Sequence, residues 1–79
     1  MEKYKNLNGR SGIECYQTGP DFITVGFRSG NFRMYTYESA GGDSVEKMKE
    51  LAASGRGLNS FIESAVGRKH ARQWREKCG

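Results

Sequence analysis

The hydrophobic period of this chain changes once, near residue 40, and that change limits the folds open to it. Before it, Phe22-Ile23-Thr24-Val25-Gly26-Phe27 and Phe32-Arg33-Met34-Tyr35-Thr36-Tyr37 flank Arg28-Ser29-Gly30-Asn31. Both runs are rich in β-branched and aromatic residues, which pack well on a pleated surface and favour strands. After it, Val45, Met48, Leu51 and Ala52 fall on one side of a 3.6-residue helix. Leu58, Phe61, Ile62, Ala65 and Val66 then repeat at i, i+3, i+4, i+7 and i+8. Strands followed by helices predict an α+β domain. The expected architecture is a three-stranded antiparallel meander followed by two amphipathic helices packed on one sheet face.

The first strand begins after Gly12, where Ile13, Cys15 and Gln17 alternate with Glu14 and Tyr16, and Thr18-Gly19-Pro20-Asp21 supplies a turn. If Ser29-Gly30 is a two-residue hairpin loop, Phe27 faces Phe32, Val25 faces Met34 and Ile23 faces Thr36. That register sends Ile23, Val25, Phe27, Phe32 and Met34 under the helices. The other face then carries Phe22 beside Tyr37, Thr24 beside Tyr35 and Gly26 beside Arg33, with both tyrosines looking outward. Asp43 and Glu46 have the spacing of a capping box, Gly55 is placed to end the first helix near Ser54, and Gly67 to end the second. Gly55-Arg56-Gly57 makes the corner between them and leaves Arg56 projecting. The Asn59 amide is expected to bond backbone groups of the next first turn or of this corner.

At 79 residues there is room for one domain. Its core is thin: the chain has three Leu, three Ile, three Val and four Phe, and its eleven Gly are about twice the usual share of ~7%. Residues 1–11 read as a polar, flexible lead-in, 12–67 as the folded β-β-β-α-α unit and 68–79 as a basic tail. His70 and Trp74, four apart, allow that tail to be helical. The tail holds Arg68, Lys69, Arg72, Arg75 and Lys77 against Glu76, so it carries the entire net charge of +4. Concentrated positive charge suits an anionic partner, and it also suits a solvated tail. Met1 to Asn6 lacks the apolar stretch of a signal peptide, and nowhere is there an apolar run of membrane-spanning length, so a cytoplasmic protein with no membrane partner is expected. Cys15 and Cys78 lie too far apart in sequence for a zinc or redox motif and are expected as free thiols, Cys15 on the Ile13 side of its strand as a small buried apolar residue.

Phe27-Arg28-Ser29-Gly30, Tyr35-Thr36-Tyr37 with Glu38-Ser39-Ala40-Gly41, and Gly55-Arg56-Gly57-Leu58-Asn59-Ser60-Phe61-Ile62 together resemble the KTSC domain. That family is named for a C-terminal extension of some lysyl-tRNA synthetases and also occurs as small stand-alone bacterial proteins. The resemblance runs from about Gly12 to His70. It implies RNA binding only through the association with synthetases, since the family's role is not established, and in a chain this short the free module would have to exercise that role.

A single-strand binder needs exposed aromatics to stack bases and cations to follow phosphates. Tyr35 and Tyr37 are the expected stacking pair. Arg33, Arg28, Arg56, Arg68, Lys69, Arg72 and Arg75 are the expected phosphate contacts. The tyrosines could equally be half-buried against the lead-in or the tail, or serve a protein-protein contact or homodimer through the same face. Catalysis finds no support: the single His, His70, has no evident nucleophile beside it, the carboxylates are scattered, and Gly55-Arg56-Gly57 lacks a third glycine at Ser60. Neither a metal site nor a cofactor is expected.

Overall fold

A computed structural model describes residues 1–7, 9 and 11–78. Five antiparallel strands lie in sequence order: β1 (Glu2–Lys3), β2 (Ile13–Thr18), β3 (Phe22–Phe27), β4 (Asn31–Thr36) and β5 (Arg72–Arg75). The helices are α1 (Tyr37–Ala40), α2 (Gly42–Ser54) and α3 (Leu58–Phe61), and α3 runs on into a π-helical segment, Ile62–Val66. The α+β class holds, while the sheet has two strands more than the three expected. Both additions are edge strands from stretches with no local strand pattern. β1 comes from the lead-in and β5 from the tail, so the helical reading of the tail is corrected over residues 68–78, residue 79 lying outside the described residues.

The hairpin register differs from expectation by one residue. The loop has three residues, Arg28 to Gly30, closed by the Gly30 N–H donating to the Phe27 carbonyl at 2.9 Å. Gly30 has φ +93°, the positive-φ position that follows a type I turn in three-residue hairpins. Ile23 therefore pairs with Tyr35, Val25 with Arg33 and Gly26 with Phe32. A one-residue slip exchanges the faces of a whole strand. Tyr35 enters the helix-covered core with Ile23, Val25, Val45, Met48, Leu58, Ile62 and Val66, while Phe32 and Met34 turn to the other face.

The helices form largely as read. Val45, Met48 and Ala52 are buried, and Gly55 takes the left-handed conformation that ends α2. The side-chain cap falls elsewhere: α2 has Gly41 at its N-cap and no Asp43–Glu46 box, whereas Thr36 and Ser39 form a reciprocal box that stops β4 and starts α1. Tyr37 is thus helical and no longer shares a strand with Tyr35. In the second helix Leu58, Ile62 and Val66 are buried and Ala65 is exposed. The first N–H of α3, on Leu58, donates to Tyr4 Oη at 3.4 Å. The capping role expected of Asn59 is corrected, since its amide reaches the Glu63 carboxylate instead.

On the sheet face away from the helices, Cys15 is bonded to Cys78, which corrects the expectation of free thiols. A bulge between Ile13 and Cys15 explains why the spacing misled: Ile13 pairs with Phe27 on the core side, and Cys15 pairs with Gly26 on the opposite side. The tail brings Cys78 back to it after β5, with Phe32 and Trp74 stacked beside one another at 5.9 Å between ring centroids. Gly26 makes the room. A Cβ there would lie 2.7 Å from Cys15 Sγ and 2.8 Å from the Phe32 ring. Gly26→Ala is therefore expected to destabilise the domain by about 1–3 kcal/mol through overpacking, read as a lower urea midpoint. An unchanged midpoint would mean that Phe32 and the disulfide can shift freely.

Candidate functional site

The expected tyrosine platform does not exist as drawn. Tyr35 is 0% exposed, donates its hydroxyl to the Gly67 carbonyl at 2.9 Å, and meets His70 edge-on at 6.1 Å. This corrects its reading as an outward stacking residue, and the register is the physical reason. Tyr37 is 40% exposed, but its hydroxyl bonds the Glu46 carboxylate, and Lys49 Nζ lies 5.9 Å from its ring centroid while pairing with Glu46 at 2.8 Å. The hydrogen bond to Glu46, then burial, raises the Tyr37 hydroxyl above its usual range, and bonds from Lys49 and then Tyr37 lower Glu46. Tyr37 is engaged in a local polar cluster.

The cations are sorted by the sheet. Arg33, opposite Val25, lies with its guanidinium 5.4 Å from the Phe27 ring centroid. It forms part of the wall of two grooves. One is lined by Gly12, Phe27, Arg28, Ser29, Asn31 and Arg33. The other is lined by Arg33, Arg68, His70 and Gln73. None of these lining residues is acidic. Among the described residues the one ion pair is Lys49–Glu46, so Arg28, Arg33 and Arg68 have no carboxylate partner there. Arg33 Nε and His70 Nδ1 are buried and have no hydrogen-bond partner among the described residues. Burial, and then the charges of Arg33 and Arg68, push the His70 imidazole below its usual range.

The remaining expected contacts lie elsewhere. Arg75 donates to Asn31 Oδ1 at 3.1 Å and to the Ser29 carbonyl at 2.8 Å, clasping the hairpin loop to β5. Arg72 pairs opposite Met34 and lines a hollow with Gln73, Trp74 and Glu76. Lys69 is exposed and lines neither cationic groove. Arg56 projects from the α2–α3 corner, where Gly55 packs against Lys5 and Leu7, also outside both grooves. Gly55 and Gly57 both sit at positive φ in this corner. Sequence reasoning missed Phe27, His70 and Gln73 as lining residues. Arginines on either side of the hairpin loop were the available signal, but the β5 return that supplies Gln73 had none.

No helix is long and apolar enough to cross a membrane among the described residues. Comparison with protein-family models, with curated proteins and with solved structures found no match.

Proposed function

We propose that this chain is a non-catalytic module that binds single-stranded nucleic acid, RNA foremost, along the strip from Arg28 through Arg33 to Arg68. The observation that carries the reading is the sharing of Arg33 by two adjoining grooves without a single acidic lining residue. Unpaired guanidiniums in such a strip attract a phosphate chain and release its counterions. Phe27 lines the first groove and gives a base an aromatic surface, in place of the tyrosine pair expected from the sequence. Membership of the KTSC family and a cytoplasmic place of action belong to the same proposal. In it, the Tyr35-Thr36-Tyr37 motif has a structural role, and the cations bind.

The test is fluorescence anisotropy of a short single-stranded RNA across a salt series. With three strip arginines engaged, the log-log slope should approach about −2, from about −0.7 per phosphate neutralised on a single strand. Arg33→Ala should weaken binding by about tenfold, the loss of about one charge-assisted contact, and make the slope shallower by roughly 0.7. Binding that ignores salt, or that survives Arg33→Ala unchanged, would refute the strip.

A further inference from the structure

The two grooves differ in a way that bears on what each receives. The groove at Arg28 contains an aromatic ring and the Ser29 and Asn31 side chains. The groove at Arg68 has no aromatic wall and converges two guanidiniums, an imidazole and an amide on one pocket. We propose that this second pocket is a receptor for a terminal phosphate, the phosphomonoester at the end of a nucleic-acid strand, and that it fixes where the strand ends on the strip. The inference rests on the nucleic-acid reading above and adds a polarity to it.

The argument is one of charge and donor count. An internal phosphodiester carries one charge and two free oxygens, and is served by cations spaced along a track. A terminal phosphate carries nearly two charges at neutral pH and three strong acceptor oxygens. Arg33, Arg68, His70 and Gln73 meet that group from three places in the chain: β4, the loop after Gly67, and β5. Planar guanidiniums are suited to gripping such oxygens in pairs. Neither side chain is committed at its buried nitrogen: among the described residues Arg33 Nε and His70 Nδ1 have no hydrogen-bond partner, so no bond at Nδ1 fixes the His70 tautomer. An acceptor at the pocket would select the tautomer with its proton on Nε2. Edge-on packing against Tyr35, itself bonded to Gly67, holds the imidazole in place on the core.

Two measurements on the full chain test this. In the first, a single-stranded RNA bearing a 5′ phosphate, one bearing a 3′ phosphate and one with hydroxyls at both ends are compared by anisotropy. One phosphorylated form should bind about tenfold tighter than the hydroxyl form, the equivalent of about one charge-assisted hydrogen bond. That ratio should collapse toward one in Arg68→Ala and in His70→Gln. Arg68 is exposed, so its variant keeps the test independent of folding. In the second, inorganic phosphate is titrated at constant ionic strength while the imidazole nitrogen resonances are followed. The chain has one histidine, so the signal is unambiguous. Phosphate should move it and chloride should not.

Equal binding of all three RNAs would overturn the terminal-phosphate site and leave the strip reading standing. A response to inorganic phosphate without any end preference would also overturn it, reassigning the pocket to the free ion. No RNA binding at low salt would sink both readings together.

Discussion

Tyr35→Ala is expected to lower stability by about 3–5 kcal/mol, the cost of deleting a fully buried aromatic side chain. A 79-residue domain has on the order of 4–12 kcal/mol in total. The variant should therefore be partly or wholly unfolded at physiological temperature. The ring fills the space between sheet and helices beside Val45, Met48, Ile62 and Val66, and the hydroxyl ties the end of the π-helical segment to β4 through Gly67. Tyr35→Phe separates these contributions: it keeps the ring, removes the bond and leaves the Gly67 carbonyl without it, for a loss of about 1–2 kcal/mol. Urea denaturation of both variants, with RNA anisotropy at temperatures where each is folded, reads the result. A Tyr35→Ala protein with wild-type stability and selectively weakened RNA binding would restore the stacking role that the buried position removes.

That prediction turns on the hairpin, which also marks the limit of what was legible beforehand. Ser29-Gly30 suits a two-residue loop, and Arg28-Ser29-Gly30 suits a three-residue loop equally well, because either needs glycine at Gly30. Local pattern favoured the shorter loop, which puts Phe32 and Met34 inside with Val25 and leaves two tyrosines out. The longer loop places one large ring, Tyr35, under two helices and gives Phe32 its own cover from Trp74 and the disulfide. That choice depends on β5, whose sequence Arg72-Gln73-Trp74-Arg75 has no run of branched residues and becomes a strand by pairing with the β4 edge. Strong local periodicity was readable: the α2 stripe, its stop at Gly55, and the Leu58, Ile62 and Val66 part of the second stripe with its stop at Gly67 stand, while Ala65 is exposed where the helix has widened to a π-helix. Contacts made by chain return were not. The second groove, with one wall from β4 and another from β5, belongs to that class, as do the bulge that turns Cys15 away from Ile13 and the bond it forms.

That bond carries the other large effect. Cys15 and Cys78 are 63 residues apart, and closing a loop of that length restricts the unfolded chain by on the order of 4 kcal/mol. Reduction, or Cys78→Ser, should lower the melting temperature by about 15–30 °C for a domain of this size. The loss should be global. β5 remains held by its pairing to β4 and by Arg75 on the hairpin loop, so the link acts mainly on the unfolded chain. Thermal unfolding with and without reductant measures the shift, and the fluorescence of Trp74 reports whether β5 leaves the sheet first. If the Trp74 signal changes well below the main transition, the bond is a local clasp on β5, and Gln73 with the phosphate pocket would open on reduction. If both change together, stability and binding are separate properties: the reduced chain keeps its grooves while folded and is less often folded. In a reducing compartment that difference sets how much of the protein is present to bind at all, because a loss of about 4 kcal/mol leaves a domain of this size near the edge of stability.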